Sequence, residues 1–299
     1  LAGLSAKIFT RLDPLLVEHK PDLVLVQGDT TSVMVAALSC FYRRVPVGHV
    51  EAGLRTHDIQ NPFPEEMNRV VAGHASALHF APTQSSYDNL IAEGHDAASV
   101  HITGNTVIDA LLDVAARDLP CAWPKPGRRL VLITAHRREN FGAPLLSICR
   151  AIRTLHDTHP DVDFVYPVHP NPNVRGPVYQ NLAGLDRLHL CEPVNYLELT
   201  ALMKACHFAL TDSGGIQEEA PALGKPVLVL RSETERPEAV SAGVARLVST
   251  DYETIVREAG LLLTDEAAYR AMARGISPYG DGKGAERIAG LCKAFLKAG

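Results

Sequence analysis

The chain has 299 residues, a formal net charge of −5 and a sequence pI of about 6.2, with 46% hydrophobic and 21% charged residues. This length favours two domains, the apolar content suffices for a core in each, and the acidic balance argues against a nucleic-acid binder. No apolar run reaches the roughly 20 residues of a membrane span, so no membrane partner is expected. The six cysteines are scattered and form no CxxC pair, which is typical of reduced, buried thiols and predicts a cytoplasmic protein.

Apolar, strand-like runs alternate with helical patterns along the chain. The predicted strands cover residues 22–27, 46–50, 77–81, 99–102, 129–134, 162–168, 187–190, 206–210, 226–230 and 245–248. The predicted helices cover residues 3–19, 30–43, 64–74, 84–93, 105–116, 142–158, 175–183, 195–205, 215–223, 237–242, 252–260, 265–274 and 283–297. Continuous apolar strands that alternate with helices predict parallel sheets covered on both faces.

The alternation breaks where three prolines and a glycine fall in residues 117–128, which we interpret as a linker. It divides an N-terminal domain (1–116) from a C-terminal domain (129–276), and a last helix (277–299) is expected to pack back on the N-terminal domain. The predicted fold class is α/β, with two doubly wound, Rossmann-like parallel-sheet domains that face a cleft. Because the chain opens on a helical pattern, we expect the first domain to lack its initial strand and turn. Ligands of such sheets bind outside the carboxyl ends of the strands, so the polar residues there are the candidates.

In the first half, three carboxylates stand at or shortly after strand ends: Asp29, Glu51 and Glu65. Such a set suits proton transfer. Asp29 with Thr30 is equally typical of an ordinary helix N-cap, and Glu65 of an acid in the first turn of a helix. Glu51 has no such structural explanation, because a carboxylate after a buried strand is costly unless it is used or paired.

In the second half, the strand ends carry basic residues and a glycine-rich helix start. The basic candidates are His136, Arg137, Arg138, Arg231 and Arg236. The stretch Ser213-Gly214-Gly215 would let backbone N–H groups at the positive end of a helix approach a phosphate. Glu218 or Glu219 would repel that phosphate, so one of them is expected to bind sugar or ribose hydroxyls.

These features predict an enzyme that acts on a phosphate-bearing, nucleotide-linked substrate. The charge run His136 to Glu139 also fits a solvated, self-paired surface, and His207 fits a core histidine. His74 and His79 do not have a metal-binding spacing, so no metal is expected.

Ten motifs in this order resemble the non-hydrolysing bacterial UDP-N-acetylglucosamine 2-epimerases. They are GDTTS, GHVEAGLRT, PEEMNR, TGNTVIDAL, HRRENFG, YPVHPNPNV, TDSGGIQEEAP, GKPVLVLR, TERPEA and PYGDG, and they extend from about residue 22 to the end. The resemblance implies a glycosyltransferase-B-type fold and interconversion of UDP-N-acetylglucosamine and UDP-N-acetylmannosamine with no nicotinamide or other cofactor. The implied chemistry is anti elimination of UDP to a 2-acetamidoglucal, followed by re-addition. It further implies a cytoplasmic homodimer that serves cell-envelope polysaccharide biosynthesis.

The resemblance also implies roles for individual residues. The catalytic set would be Asp29, Glu51, Glu65 and His136. The UDP-binding set would be His136, Ser213, Gly214, Gly215, Glu219 and Arg236, with Glu219 on the ribose and with Val194 and Leu199 at the positions that hold uracil. Arg137, Arg138 and His169 resemble parts of a second, regulatory site that takes UDP-N-acetylglucosamine as an allosteric activator.

Two departures from the family pattern stand beside this resemblance. No GTRPE-type turn with its Arg and Lys is present, and Val194 and Leu199 stand where some members have a Gln and an aromatic residue. The alternatives are a hydrolysing epimerase that releases free N-acetylmannosamine, a glycosyltransferase of the same fold, and an inactive nucleotide-sugar-binding fragment. Three acids in the first half favour proton abstraction over simple transfer.

Overall fold

A computed structural model describes residues 1–298 of the chain. These residues divide into two compact units. The first unit comprises Leu1–Asp109 together with the segment from Tyr279 onwards, and the second comprises Ala110–Pro278. Residues 117–128, predicted as a linker, form neither helix nor strand and belong to the second unit, so their role as a linker stays a prediction.

The first unit is built on a four-stranded parallel sheet in the order β1-β2-β3-β4. Its elements are α1 (Ala2–His19), β1 (Val24–Gln27), α2 (Thr31–Tyr42), β2 (Val47–Val50), α3 (Glu65–Ala75), β3 (Leu78–Ala81), α4 (Gln84–Ala92), β4 (Val100–Ile102) and the start of α5 (Thr106–Ala115). The last helix, which ends at Ala298, packs Ile288 against Val50, Leu78 and Phe80 of the sheet. The first unit therefore contains both ends of the chain.

The second unit is built on a six-stranded parallel sheet in the order β10-β9-β8-β5-β6-β7. Its elements are β5 (Arg129–Thr134), α6 (Ala143–Thr158), β6 (Val162–Pro167), α7 (Pro172–Leu182), β7 (Leu188–Cys191), α8 (Tyr196–Ala205), β8 (Phe208–Thr211), α9 (Gly214–Ala222), β9 (Val227–Val229), α10 (Pro237–Ser241), β10 (Ala245–Leu247), α11 (Tyr252–Thr264) and α12 (Glu266–Met272). The helix that follows them in the chain, α13 (Gly284–Ala298), is the last helix of the first unit. Strands β5, β6 and β8 supply the centre of a continuous apolar core, with Val131, Phe164 and Phe208 fully buried. This burial on both faces explains why the strands are apolar along their whole length.

The predicted fold class of two parallel-sheet α/β domains is confirmed. All ten strands and thirteen helices occur where the patterns predicted them, with ends shifted by a few residues. The largest shift at a helix start is in α7, which begins at Pro172 rather than residue 175. Asn171 caps this helix by accepting a hydrogen bond from the N–H of Asn173, and proline is well suited to the first helical position.

None of the helices between residues 1 and 298 is both long and apolar enough to cross a membrane. Across the same part of the chain, no three His, Cys, Asp or Glu side chains are grouped as a metal site would require.

Candidate active site

Asp29 follows β1, and its carboxylate is held by an arginine from α3. Arg69 donates from Nε (3.1 Å) and from Nη2 (2.7 Å) to the same oxygen, Oδ2. The N-cap of α2 is the next residue, Thr30, whose hydroxyl accepts from the N–H of Val33. The N-cap expected in the pair Asp29-Thr30 is therefore present at Thr30, whereas the Asp29 side chain, one quarter exposed, is not part of it.

Glu51 lies beside Asp29 because β1 and β2 are neighbours that pair Gln27 with Val50. A methyl group added to Gly28 would lie 3.8 Å from Glu51 Oε2, so this carboxylate reaches back over the end of β1. The backbone of Glu51 has a φ of +65°, a left-handed conformation that is uncommon for a residue with a side chain. Strain at the end of a strand is frequent at functional sites.

Helix α3 carries two consecutive glutamates with different surroundings. Glu66 is buried, accepts from the backbone N–H groups of Thr56 and His57 at Oε1 (3.0 Å each), and receives Arg69 Nη1 at Oε2 (2.8 Å). Glu65, the predicted site residue, is half-buried in the first helical turn and has no side-chain hydrogen bond or ion pair with any described residue. Glu66 thus has a structural role, and Glu65 is the glutamate available to a ligand.

Two buried histidines pair across β2 and β3 next to this cluster of acids. His49 Nε2 lies 2.8 Å from the carbonyl oxygen of Gly28, and the His79 ring lies 4.5 Å from that of His95. Burial lowers the pKa of His49 to about 4. Burial, with the nearby His95, lowers the pKa of His79 to about 3. Both rings are therefore uncharged at neutral pH.

In the second unit, His136 follows β5 and is held by Asp212 at the end of β8. The buried Asp212 accepts at Oδ2 from the N–H groups of His136 and Arg137 (2.8 Å each) and from Asn140 Nδ2 (2.9 Å). Its other oxygen, Oδ1, lies 3.4 Å from His136 Nδ1. Burial lowers the pKa of His136, although the Asp212 charge opposes this effect. The sequence analysis did not single out Asp212, although a carboxylate after an apolar strand is the same signal that identified Glu51.

The predicted regulatory residues surround the same histidine. The His169 ring stacks on His136 at 5.4 Å with an interplanar angle of 12°. Arg137 is half-buried with Nη2 3.8 Å from Glu235 Oε1, whereas Arg138 is exposed in a 3-10 turn. A ligand bound to His169 would thus contact the ring predicted to face UDP, and a regulatory site here stays a prediction.

The glycine-rich helix start lies under Arg236. Ser213 is the N-cap of α9, Gly214 and Gly215 are its first two residues, and the N–H groups of a first turn have no partner inside the helix. A Cβ on Gly214 would lie 2.5 Å from Arg236 Nη1, whereas a Cβ on Gly215 would meet only ordinary contacts at 3.6 and 3.9 Å. Only glycine at position 214 therefore lets the guanidinium cover this turn.

Arg236 is itself held by two buried carboxylates. It donates to Glu218 Oε1 from Nε and to Glu235 Oε1 from Nη1, at 2.5 Å each. Arg231 pairs with the other oxygen of Glu235 at 2.8 Å. Burial opposes ionisation of Glu235, but the two arginines outweigh it and lower its pKa to about 2. Glu218, which the sequence offered for hydroxyl binding, is therefore already used as an anchor for Arg236.

Glu219 has the environment expected of a hydroxyl-binding carboxylate. It accepts a hydrogen bond from the hydroxyl of Tyr196 at Oε1 (2.7 Å), and burial raises its pKa to about 7, against the effect of Tyr196. Val194 lines a cavity of about 660 Å³ with Trp123, Cys191 and residues of α8, whereas Leu199 is half-buried and does not line it. No local pattern pointed to Tyr196, which approaches Glu219 from another helix.

Comparison with known proteins gives consistent results. Residues 1–293 match the family model described as UDP-N-acetylglucosamine 2-epimerase. The UDP-N-acetylglucosamine 2-epimerase of Escherichia coli K12 is 50% identical over 96% of this chain and 80% of its own length, and that of Yersinia pestis is 49% identical over the same shares. The crystal structure of the Neisseria meningitidis UDP-GlcNAc 2-epimerase bound to UDP-GlcNAc superposes with a TM-score of 0.92 at 43% identity, over 98% of this chain and 81% of that chain. The chain thus spans about four fifths of these relatives.

Proposed function

This chain belongs to the UDP-N-acetylglucosamine 2-epimerase family, and we propose that it interconverts UDP-N-acetylglucosamine and UDP-N-acetylmannosamine without releasing the free sugar. The observation that carries the proposal is the pair of carboxylates, Asp29 and Glu51, directly beyond neighbouring strand ends. Inverting C2, the carbon that bears the acetamido group, by elimination and re-addition requires that its proton be removed and replaced, which such a pair can perform. The solved relative with bound UDP-GlcNAc supports the substrate class.

The second unit would bind the nucleotide. The first turn of α9 offers N–H groups at Gly214 and Gly215 to the diphosphate, and Arg236 covers the same turn. Glu219 would accept hydrogen bonds from the ribose hydroxyls, in place of the one from Tyr196. His136, held by Asp212 and half-exposed, would donate to the leaving diphosphate.

The first unit would supply the acids and bases. One carboxylate removes the proton from C2, the electron pair of that bond forms the C1–C2 double bond, and the bond between C1 and the UDP oxygen breaks with its electrons leaving on UDP. A second carboxylate must deliver a proton to the opposite face before UDP adds back, because one group cannot easily serve both faces of C2. The candidates are Asp29, which follows β1, Glu51, which follows the neighbouring strand β2, and Glu65, in the first turn of α3.

The test replaces each acid by its amide in Asp29→Asn, Glu51→Gln and Glu65→Gln. Incubation with UDP-N-acetylglucosamine in deuterated water reports proton removal at C2, even where net epimerisation stalls. At least two variants should lose epimerisation by about 10²-fold or more, a typical loss for a proton-transfer group, and at least one of them should also lose exchange at C2. UDP affinity, measured by calorimetry, should remain, because the UDP residues lie in the other unit. Wild-type exchange in all three variants would reject the carboxylate mechanism.

A further inference from the structure

Arg69 connects the acid residues of the first unit. Its side chain is only 4% exposed, and three of its N–H groups contact two carboxylates. Nε and Nη2 both donate to Asp29 Oδ2, and no donor among the described residues contacts Asp29 Oδ1. The guanidinium thus fixes one oxygen of Asp29 and leaves the other available.

Helix α3, which carries Arg69, also binds the backbone of Asp29. Asn68 Nδ2 donates to the carbonyl oxygen of Asp29 at 2.8 Å, so consecutive residues of α3 fix both the backbone and the side chain. Arg69 Nη1 donates to Glu66 Oε2, and the other oxygen of Glu66 accepts from the N–H groups of Thr56 and His57. One guanidinium therefore connects the end of β1, the start of α3 and the loop that follows Glu51.

If Arg69 only stabilised the fold, it would need fewer contacts than it makes. The contact with Glu66 alone satisfies the charge of Arg69 and fastens α3 to the loop. Two further donors are nevertheless directed to Asp29, whose side chain is one quarter exposed. Two N–H groups that converge on Oδ2 hold that oxygen in place, and proton transfer demands such precise placement of the carboxylate.

We propose that Arg69 is a positioning residue that orients the Asp29 carboxylate so that its free oxygen, Oδ1, faces the reacting carbon. The inference rests on the proposed epimerase function and assigns Arg69 no contact with the substrate. It predicts that replacing Arg69 lowers the rate of C2-proton exchange through Asp29 and through no other residue.

The test is a double-mutant cycle of Arg69→Met and Asp29→Asn, with exchange at C2 measured at several substrate concentrations. Arg69→Met alone should lower kcat by about tenfold or more with KM within about threefold, because misplacing a reacting group costs rate rather than binding. Arg69→Lys, which keeps a charged donor, should recover part of the rate. In the Asp29→Asn background, Arg69→Met should lower exchange by less than about twofold further, because the carboxylate it orients is already gone.

Three results would be decisive. A wild-type kcat in Arg69→Met, or equal losses in the presence and absence of the Asp29 carboxylate, would overturn the inference. If Arg69→Met fails to fold, the same cycle with Arg69→Lys decides the question. Absence of exchange in the wild-type chain would instead reject the proposed function, so the two failures are distinguishable.

Discussion

Replacing Gly214 by alanine tests whether Arg236 is held as the structure shows. The new Cβ would lie 2.5 Å from Arg236 Nη1 and 2.8 Å from its Cζ, closer than the 3.0 Å that Cβ atoms keep from other heavy atoms, so one of the two groups must move. The end of an exposed arginine could move aside at little cost. Arg236, however, is pinned between Glu218 and Glu235, both nearly fully buried, so movement must loosen two buried ion pairs.

The expected cost follows from that geometry. Breaking a buried ion pair typically costs about 3–5 kcal/mol, because a charge is left unpaired. Alanine in place of glycine in a helix raises the free energy of unfolding by up to about 1 kcal/mol, which offsets part of this cost. We therefore expect Gly214→Ala to destabilise the second unit by about 2–4 kcal/mol. The matched control is Gly215→Ala, whose Cβ would meet nothing closer than 3.6 Å and which should be neutral or slightly stabilising.

Urea unfolding followed by tryptophan fluorescence measures this difference directly. The single tryptophan of the chain, Trp123, stacks on His189 in the second unit and therefore reports on its unfolding. Midpoints should separate the two variants at an unchanged slope of free energy against urea. Equal stability of Gly214→Ala and Gly215→Ala would show that Arg236 is not fixed over the turn.

Two further predictions concern pH. UDP affinity should rise between pH 6 and 8, because Glu219 has a pKa of about 7 and its ionised form accepts hydrogen bonds from the ribose hydroxyls better. In calorimetry, the Glu219→Gln variant should retain only the pH dependence of affinity that the phosphate of UDP itself causes. If the variant showed the same pH dependence as the wild type, Glu219 would be excluded from the site. Stability should fall in mild acid, because His49 and His79 have folded pKa values of about 4 and 3, below their unfolded value of 6.5, and each takes up a proton on unfolding. Stability present above pH 6.5 is thus lost below it, by up to about 1.4 kcal/mol per histidine per pH unit. His79→Leu should therefore reduce the loss between pH 6.5 and 5 by about 1–2 kcal/mol in urea titrations followed by circular dichroism. The same acid sensitivity in His79→Leu would contradict this explanation.

The fold could be predicted from the sequence because the central strands of each sheet are buried on both faces. Segments such as Leu130–Ile133 and Phe208–Leu210 are fully buried. In the sequence they are continuous apolar runs bounded by polar turns, and this pattern predicts buried strands. Element ends were less accurate because single capping side chains set them, as Asn171 does for α7. The order of strands in each sheet depends on long-range pairing, which local patterns do not contain.

The candidate residues of the site were selected from their positions in the sequence, and their roles stay predictions. The strand-end rule selected Asp29, Glu51 and His136 without knowledge of their partners. It could not separate Glu65 from Glu66, because only the fold shows which of the two meets Arg69. The spacing of Glu66 and Arg69, three residues apart on a helix, was the available signal.

Product identification by NMR tests the central claim most directly. The chain is incubated with UDP-N-acetylglucosamine in deuterated water, and the sugar, its link to UDP and the isotope at C2 are read together. We predict UDP-N-acetylmannosamine that carries deuterium at C2, in equilibrium with deuterated UDP-N-acetylglucosamine. Free N-acetylmannosamine with released UDP would show a hydrolysing enzyme, and substrate recovered with its original proton at C2 would contradict the proposed function.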